Sequence, residues 1–332
     1  MSTDTTDRPQ TGERPTAAAE LARAAYRLFH VRVARTRSLG PSTLRITFTS
    51  PELAAFGAGG FDQRVKLLLP VLPLERYRLP DEDWYGWWKG LPEDVRPVMR
   101  TYTVRAARPA AREVDVDVVL HGVADGHAGP ASTWAATATA GDAALLVAPG
   151  TPGTGRMWGV EWAPPAQART FLLAGDETAV PAVLSVLSQL PAGARATALL
   201  EIPEDGDVQD VETAADVSVQ WLPRNGCQHG ALLSERVPQV VAQLVRQVGP
   251  GSGPGGAGLA AVDLEDVDVD HGILWEVPEA AVPTGPSALY AWLAGEAGVV
   301  KDLRRHLVRE VGVPRGSVAF MGYWRRGRAE DG

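Results

Sequence analysis

The sequence predicts a β-barrel plus α/β protein: an antiparallel Greek-key barrel over residues 21–160, then a parallel-sheet domain over 166–332. Three observations lead there. Up to about residue 150 the chain runs in short segments of alternating apolar and polar residues separated by turns, the pattern of half-buried antiparallel strands. Beyond Pro164-Pro165, continuous apolar runs such as Thr170–Ala174 lead into helical patterns, as in a parallel sheet covered on both faces. The proline pair itself reads as the linker.

Composition bounds the function. A chain of 332 residues suits two domains of ~150 residues each. A formal net charge of -8 argues against a nucleic-acid partner, while leaving room for a local basic pocket. Cys227 is the only cysteine, which excludes an intramolecular disulfide and a cysteine-held zinc or iron–sulfur cluster. The six histidines lack ligand spacing, so no metal site is expected. No run approaches the ~20 apolar residues of a membrane span, and Met1–Glu20 lacks a signal core. A cytoplasmic protein with no membrane partner is expected.

The elements follow in order. Residues 1–20 read as a disordered tail, and Ala17–Arg27 as a short helix or more of that tail. Phe29–Thr36 and Leu44–Phe48 alternate as strands around the Gly40-Pro41 turn. Val65–Leu69 is a more buried strand closed by Pro70, and Arg76–Pro97 is an irregular insert carrying Trp84, Trp87 and Trp88. Glu113–Leu120 alternates as a strand with one wet face. In the second domain, strands are expected at Thr170–Ala174, Ala194–Ile202, Val217–Leu222 and Ser287–Leu293. Helices follow Pro181 and run from about Val299 to Val311. Residues 248–258 form a Gly/Pro/Ser insert, and the acidic run Asp263–Asp270 is a solvated loop or an exposed edge strand.

Two stretches carry chemistry. Arg100-Thr101-Tyr102-Thr103-Val104-Arg105 reads as a strand with Arg100 and Tyr102 on one face and Thr101 and Thr103 on the other. That first face offers a guanidinium for a phosphate and a ring for a flat heterocycle. Pro130-Ala131-Ser132 opens a helix after the His121-Gly122 strand end and the turn at Gly126–Gly129, so the N–H groups of Ala131 and Ser132 point at an anion.

With Gly-Asp-Glu-Thr-Ala-Val-Pro at 175–181, Trp-Leu-Ala-Gly-Glu at 292–296 and Gly-Tyr-Trp-Arg-Arg-Gly at 322–327, the chain from Phe29 to Arg326 resembles the siderophore-interacting protein family. The Arg-x-Tyr-Thr-x-Arg stretch resembles the flavin-binding signature of ferredoxin-reductase-like flavoproteins. The resemblance implies FAD as cofactor, a reduced pyridine nucleotide as donor and a ferric siderophore or other ferric chelate as acceptor. On that resemblance the flavin would supply the redox chemistry, taking hydride and giving single electrons to Fe(III), and no side chain would be needed as acid, base or nucleophile. It also implies that Arg100, Thr101, Tyr102, Thr103 and Arg105 hold the flavin, and that His121, Gly122, Gly129, Pro130, Ala131 and Ser132 sit near its phosphates. Gly175, Asp176, Thr178, Ala179, Gly295 and Glu296 would line the nucleotide side, and Tyr323 or Trp324 would cover the flavin's other face.

Three points remain open on the residues. Asp176 and Glu177 occupy a turn that is glycine-rich in many barrel-plus-nucleotide proteins; acids there repel a pyrophosphate, so the phosphates lie elsewhere or the acids cap the helix. Glu201, at a strand end, suits a ribose 2′-hydroxyl and argues for NADH, whereas the resemblance implies NADPH. An anionic chelate needs local cations, for which Lys66, Arg325 and Arg326 are the candidates. Two other readings stand: a general flavin or ferredoxin-type reductase, and a flavin- and siderophore-binding protein without turnover.

Overall fold

The computed structural model describes residues 26–81, 83–123, 126–150, 159–166, 168–248, 275–276 and 289–327. The expected tail, the acidic run and all but the first residue of the Gly-rich insert lie outside these residues.

The first half is a closed six-stranded barrel. Its strands are β1 (Tyr26–Ser38), β2 (Thr43–Thr49), β3 (Arg64–Leu69), β4 (Val98–Arg108), β5 (Glu113–Val119) and β6 (Ala143–Pro149), in the order β1-β2-β5-β4-β3-β6. All pairs are antiparallel, and the jump from β2 to β5 makes a Greek key. Alternate residues such as Phe29, Val31, Ile46, Phe48, Val65, Leu67, Val116 and Leu146 fill the interior. A short helix, α1 (Trp84–Gly90), gives the expected irregular insert a core of its own against Leu68, Met99 and Leu145. Helix α2 (Pro130–Thr137) closes one end of the barrel with Ala131 and Ala135, and Trp134 stacks on Phe48 at 6.4 Å.

The face of β5 expected to be wet is buried. Asp115 and Asp117 are 6% and 3% exposed because arginines cover them. Arg45 forks onto Asp117 at 2.6 and 2.7 Å, Arg108 forks onto Asp115 at 2.7 and 2.8 Å, and Thr47 adds a hydroxyl to Asp115 at 2.8 Å. Alternation correctly marked the strand, but charge pairing across neighbouring strands replaced solvent.

The second half is a six-stranded sheet in the order β10-β12-β11-β7-β8-β9. Strands β7 (Thr170–Gly175), β8 (Arg195–Ile202), β9 (Asp216–Pro223), β11 (Leu289–Glu296) and β12 (Val318–Trp324) are parallel, and the two-residue β10 (Trp275–Glu276) is an antiparallel edge. Helix α3 (Val180–Gln189) covers one face, while α4 (Ala231–Val248) and α5 (Ala297–Arg305) cover the other. Strand β12 and helix α4 go beyond the sequence expectation; Pro238 interrupts the α4 pattern. The expected helix to Val311 instead widens into a π turn at His306–Glu310.

Helix α3 is buried from Val180 to Leu187 because it lies between its own sheet and barrel strand β4. Two carboxylates fasten this junction. Asp62, 1% exposed, accepts from the backbone N–H groups of Glu161 and Trp162 and from the Trp292 indole of β11. Burial pushes its pKa up against those donors. Asp207 of the second half accepts from the Ser42 N–H in the barrel's first turn at 2.8 Å. Asp62→Ala leaves three donors unpaired and is expected to destabilise by about 3 kcal/mol, with Asp62→Asn intermediate. Thermal unfolding of the two variants, read at one pH, checks the order.

Candidate functional site

Strand β4 changes partner midway. It pairs with β3 over Val98–Thr103 and with β5 over Val104–Arg108, and a register shift between Val104 and Ala106 marks the crossing. Upstream of the crossing β4 and β5 diverge. The wedge holds a cavity of about 940 Å³, with Met99–Thr103 on one wall and Asp117, Val119 and His121 on the other. The N-terminus of α2 enters it through Pro130, Ala131 and Ser132. Ser132 is buried and donates its hydroxyl to the Val119 carbonyl at 3.3 Å.

From the second half come Thr178 and Pro181 after β7, and Gly322, Tyr323 and Trp324 at the end of β12. Chain order runs β7-β8-β9 to one side and returns at β11 on the other, so the order of strand addition reverses between the parallel β7 and β11. Open α/β sheets bind ligands at such a switch, beyond the carboxyl ends of the strands. The barrel wedge and the sheet crevice therefore open into one space.

Many sequence-selected residues meet there. Arg100, Thr101, Tyr102, Thr103, His121, Gly129, Pro130, Ala131, Ser132, Thr178, Trp324 and Lys66 all line the cavity. Lys66 donates to Thr101 Oγ1 at 2.7 Å, and Tyr102 also packs on the barrel core. Others stand behind the wall. Arg105 lies past the crossing with Asp117 4.0 Å away, and burial lowers its pKa against that charge. Gly122 takes φ +68 and packs on the His127 carbonyl; Gly175 packs on Ala294 and Ala179. Gly295 takes φ +138 with no room for a Cβ beside Asp176. Glu296 caps α5 by accepting from Val299 N–H at 3.0 Å. Arg326 is exposed and Arg325 half-buried, both past the end of β12.

Glu201 is a correction. It is 0% exposed, and its oxygens accept from the Gly230 and Leu233 N–H groups at 2.6 and 3.1 Å. Its carboxylate anchors the start of α4 and faces no ribose. Asp176 and Glu177, which the sequence left as either repelling a phosphate or capping the helix, are both engaged within the protein. Asp176 accepts from Thr178 (N–H and hydroxyl), the Glu296 N–H at 2.8 Å and the Trp324 indole at 2.9 Å. Glu177 takes the Arg224 fork at 2.6 and 2.8 Å.

His229 lies between these acids, 3.4 Å from Asp176 and 3.6 Å from Glu177, distances of ion pairs rather than of tight hydrogen bonds. Burial alone would lower the His229 pKa, but the two carboxylates outweigh it and raise it to about 9. Burial likewise opposes the Glu177 charge, yet His229 and Arg224 hold its pKa at about 2. The His229 ring meets Trp324 edge-on at 4.9 Å, so the cluster fixes the indole against the cavity. Sequence reasoning missed Arg224 and His229, because they approach from the β9–α4 loop with no local motif. It also missed Arg64, Met99, Asp117 and Pro181 in the cavity wall.

The fold, a barrel joined to a parallel sheet, is similar to that of a ferredoxin NADP+ reductase from Neisseria gonorrhoeae, with a TM-score of 0.51 at 13% identity over 90% of this chain and 99% of that one. The chain belongs to the siderophore-interacting protein family. Residues 32–153 match the siderophore-interacting FAD-binding domain and residues 168–327 the siderophore-interacting protein model. An uncharacterized protein of Mycobacterium tuberculosis is 32% identical, over 90% of each chain. The ferric vibriobactin reductase ViuB of Vibrio cholerae is 26% identical, over 90% of this chain and 89% of that one. The siderophore-interacting protein SipS of Aeromonas hydrophila superimposes with a TM-score of 0.60 at 28% identity, covering 92% of this chain and 94% of that one. The chain is thus related to oxidoreductases, and no helix among the described residues is long and apolar enough to cross a membrane.

The raised His229 pKa has a testable sign. A group at about 9 when folded and 6.5 when unfolded contributes stability that is full below pH 6.5 and lost as pH rises through 9. Wild type is expected to lose melting temperature between pH 7 and 10 more steeply than His229→Gln. Parallel slopes would show that His229 carries no folded-state charge.

Proposed function

We propose that the protein is a cytoplasmic FAD-dependent reductase that uses NADPH to reduce Fe(III) held in a siderophore, releasing Fe(II). The observation that carries this reading is the wedge between β4 and β5. It brings a guanidinium, an aromatic ring and a helix N-terminus into one cavity that also takes Thr178, Pro181 and Gly322–Trp324 from the sheet's switch point. FAD fits that donor set: Arg100 and the Ala131 and Ser132 N–H groups for its phosphates, Tyr102 and Thr103 for its ring system. Bound there, FAD supplies the conversion from a two-electron donor to a one-electron acceptor.

The protein's own work is binding, orientation and exclusion of water. Trp324, held by Asp176, walls the side from which a donor approaches. The β7–α3 turn does not fit a pyrophosphate, because Asp176 already takes the Thr178 N–H there and places negative charge beside it. The donor's phosphates are assigned elsewhere on the crevice, with Arg325 and Arg326, just past the end of β12, as candidate partners. Glu201 was the one residue favouring NADH; its burial leaves NADPH as the better-supported donor. Lys66, on the cavity wall beside Thr101, is the proposed contact for an anionic chelate. Iron leaves after reduction because Fe(II) is held less firmly than Fe(III) by hard oxygen donors.

The test is an anaerobic absorbance titration of the purified protein. A bound-flavin spectrum that bleaches with NADPH and recovers on adding a ferric chelate is expected; flavin that neither nucleotide bleaches overturns the reductase reading. Arg100→Ala should weaken FAD binding by roughly 10- to 100-fold, the range of a charge-assisted hydrogen bond, measured by equilibrium dialysis. Lys66→Ala should raise KM for an anionic ferric chelate about fivefold while leaving flavin reduction alone. An unchanged KM removes Lys66 from the substrate site.

A further inference from the structure

The turn after β7 and the loop between β9 and α4 bring three metal-ligating side chains to one point. Asp176 and Glu177 enter from the turn, and His229 enters from the loop. Gly230 sets the direction of the histidine: it takes φ +83, and a Cβ there would meet Val299 at 2.3 Å. Its N–H is fixed on Glu201 at 2.6 Å. One ligand atom from each of the three residues lies within 4.8 Å of the other two. Histidine spacing along the chain could not reveal the set, because its members come from two separate connections.

Hydrogen bonding does not account for the imidazole. Both ring nitrogens of His229 are buried, and neither has a hydrogen-bond partner. Nε2 stands 3.4 Å from Asp176 Oδ2 and 3.6 Å from Glu177 Oε2. Ligand atoms around a tetrahedral divalent ion, with bonds of about 2.0–2.2 Å, lie about 3.3–3.6 Å apart. The two gaps are long for hydrogen bonds and match the edges of a coordination shell. The carboxylates are also held for that role. The Glu296 N–H and the Trp324 indole orient Asp176, and the Arg224 fork orients Glu177. Ligating carboxylates carry supporting bonds of this kind.

The charge balance points the same way. Glu201, fully buried, lies 3.4 Å from the Arg224 guanidinium, so the cluster holds three carboxylates. Arg224 and a protonated His229 leave one negative charge over, whereas Arg224, a neutral imidazole and a divalent ion leave none. His121 and Arg326 stand at the exposed rim, where water screens them. One nitrogen with carboxylate oxygens suits Fe(II), Mn(II), Co(II) or Zn(II) and disfavours ions that seek sulfur.

We propose that Asp176, Glu177 and His229 form a binding site for a divalent first-row metal ion, with Fe(II) as its occupant. The naming of Fe(II) rests on the reductase reading; the site itself does not. On binding, the imidazolium proton leaves to solvent and the ion takes its place between the carboxylates. Trp324 belongs to both structures, since it lines the cavity and donates to Asp176. Iron(II) set free in the cavity therefore has this site directly behind the wall. The exposed residues 225–228 open the other side of the cluster's loop to solvent.

The experiment titrates Fe(II) anaerobically into the FAD-loaded full chain by calorimetry, with Co(II) as a second probe that resists oxidation. One ion per chain is expected, with a rise in melting temperature because the ion binds the folded state. His229→Gln should weaken binding at least tenfold, the lower end of what losing even a supporting partner costs. Glu177→Gln should show the same loss, so the test stands if one variant misfolds, and FAD content reports folding of each. Cys227→Ser should bind as wild type does, because the exposed thiol two positions from His229 is not in the set. No saturable binding by wild type, unchanged affinity in a folded His229 or Glu177 variant, or loss of binding in Cys227→Ser overturns the proposal. Neither nucleotide nor chelate enters the titration, so such a failure leaves the reductase reading intact. If ions bind here but no nucleotide bleaches the flavin, the site stands and Fe(II) falls as its occupant.

Discussion

The carboxylate of Asp176 is the contact on which the second half's end of the site depends. One buried side chain ties the turn after β7 through Thr178, the end of β11 through Glu296 and the end of β12 through Trp324. The β9–α4 loop approaches the same oxygen through His229 at 3.4 Å. Parallel strands end at a crevice with backbone groups that must be satisfied, and a fixed negative charge there collects them. It also requires a compensating charge, which His229 and, through Glu177, Arg224 provide. Removing either acid would leave His229, edge-on to Trp324, with one counter-charge in place of two.

The barrel end depends on a different constraint, the change of partner along β4. A strand that hydrogen-bonds to β3 and then to β5 must leave a gap at the crossover, and the gap becomes the binding wedge. Asp117 stands beside that gap and would place a bare negative charge in it. The Arg45 fork, with Arg105 4.0 Å away, cancels that charge while leaving the wall polar. The same pairing logic covers Asp115 with Arg108 and Thr47. Acidity of the whole chain and basicity at the site are thus compatible, because the acids nearest the site are spoken for by arginines.

What could be read from the sequence was whatever had a local cause. Strand alternation along β1, β2 and β5, the continuous apolar run of β7 and the proline at the start of α2 each depend on neighbours within a few residues. Arg100, Tyr102 and Ser132 were found because strand period and helix start determine where they project. Glu201 was misread for the complementary reason. An acid at a strand end looks alike whether it meets a ribose or the N–H groups of Gly230 and Leu233, and only the path of the β9–α4 loop decides. Arg224 and His229 were invisible because their partners lie 23 to 53 residues away in sequence, as with Arg224 and Glu177 at 47. The wet face assigned to β5 failed likewise, since Arg45 reaches Asp117 across 72 positions.

These two kinds of error point the same way about how the site is organised. Most residues that face the cavity come from regular elements with legible periodicity, whereas the charges that hold those elements come from loops and adjacent strands. Tyr102 and Trp324 illustrate the division: each is placed by a strand, and Trp324 is then oriented by Asp176 and His229. A substitution in the holding layer therefore acts on the cavity at one remove, by letting Trp324 or the Thr178 turn move. A substitution at Arg100 or Lys66 alters the cavity wall itself. The insert between β3 and β4 belongs to neither layer, for the Tyr77 hydroxyl bonds to Val71, Leu72 and Val95 and the Asp83 cap of α1 are complete without the cavity.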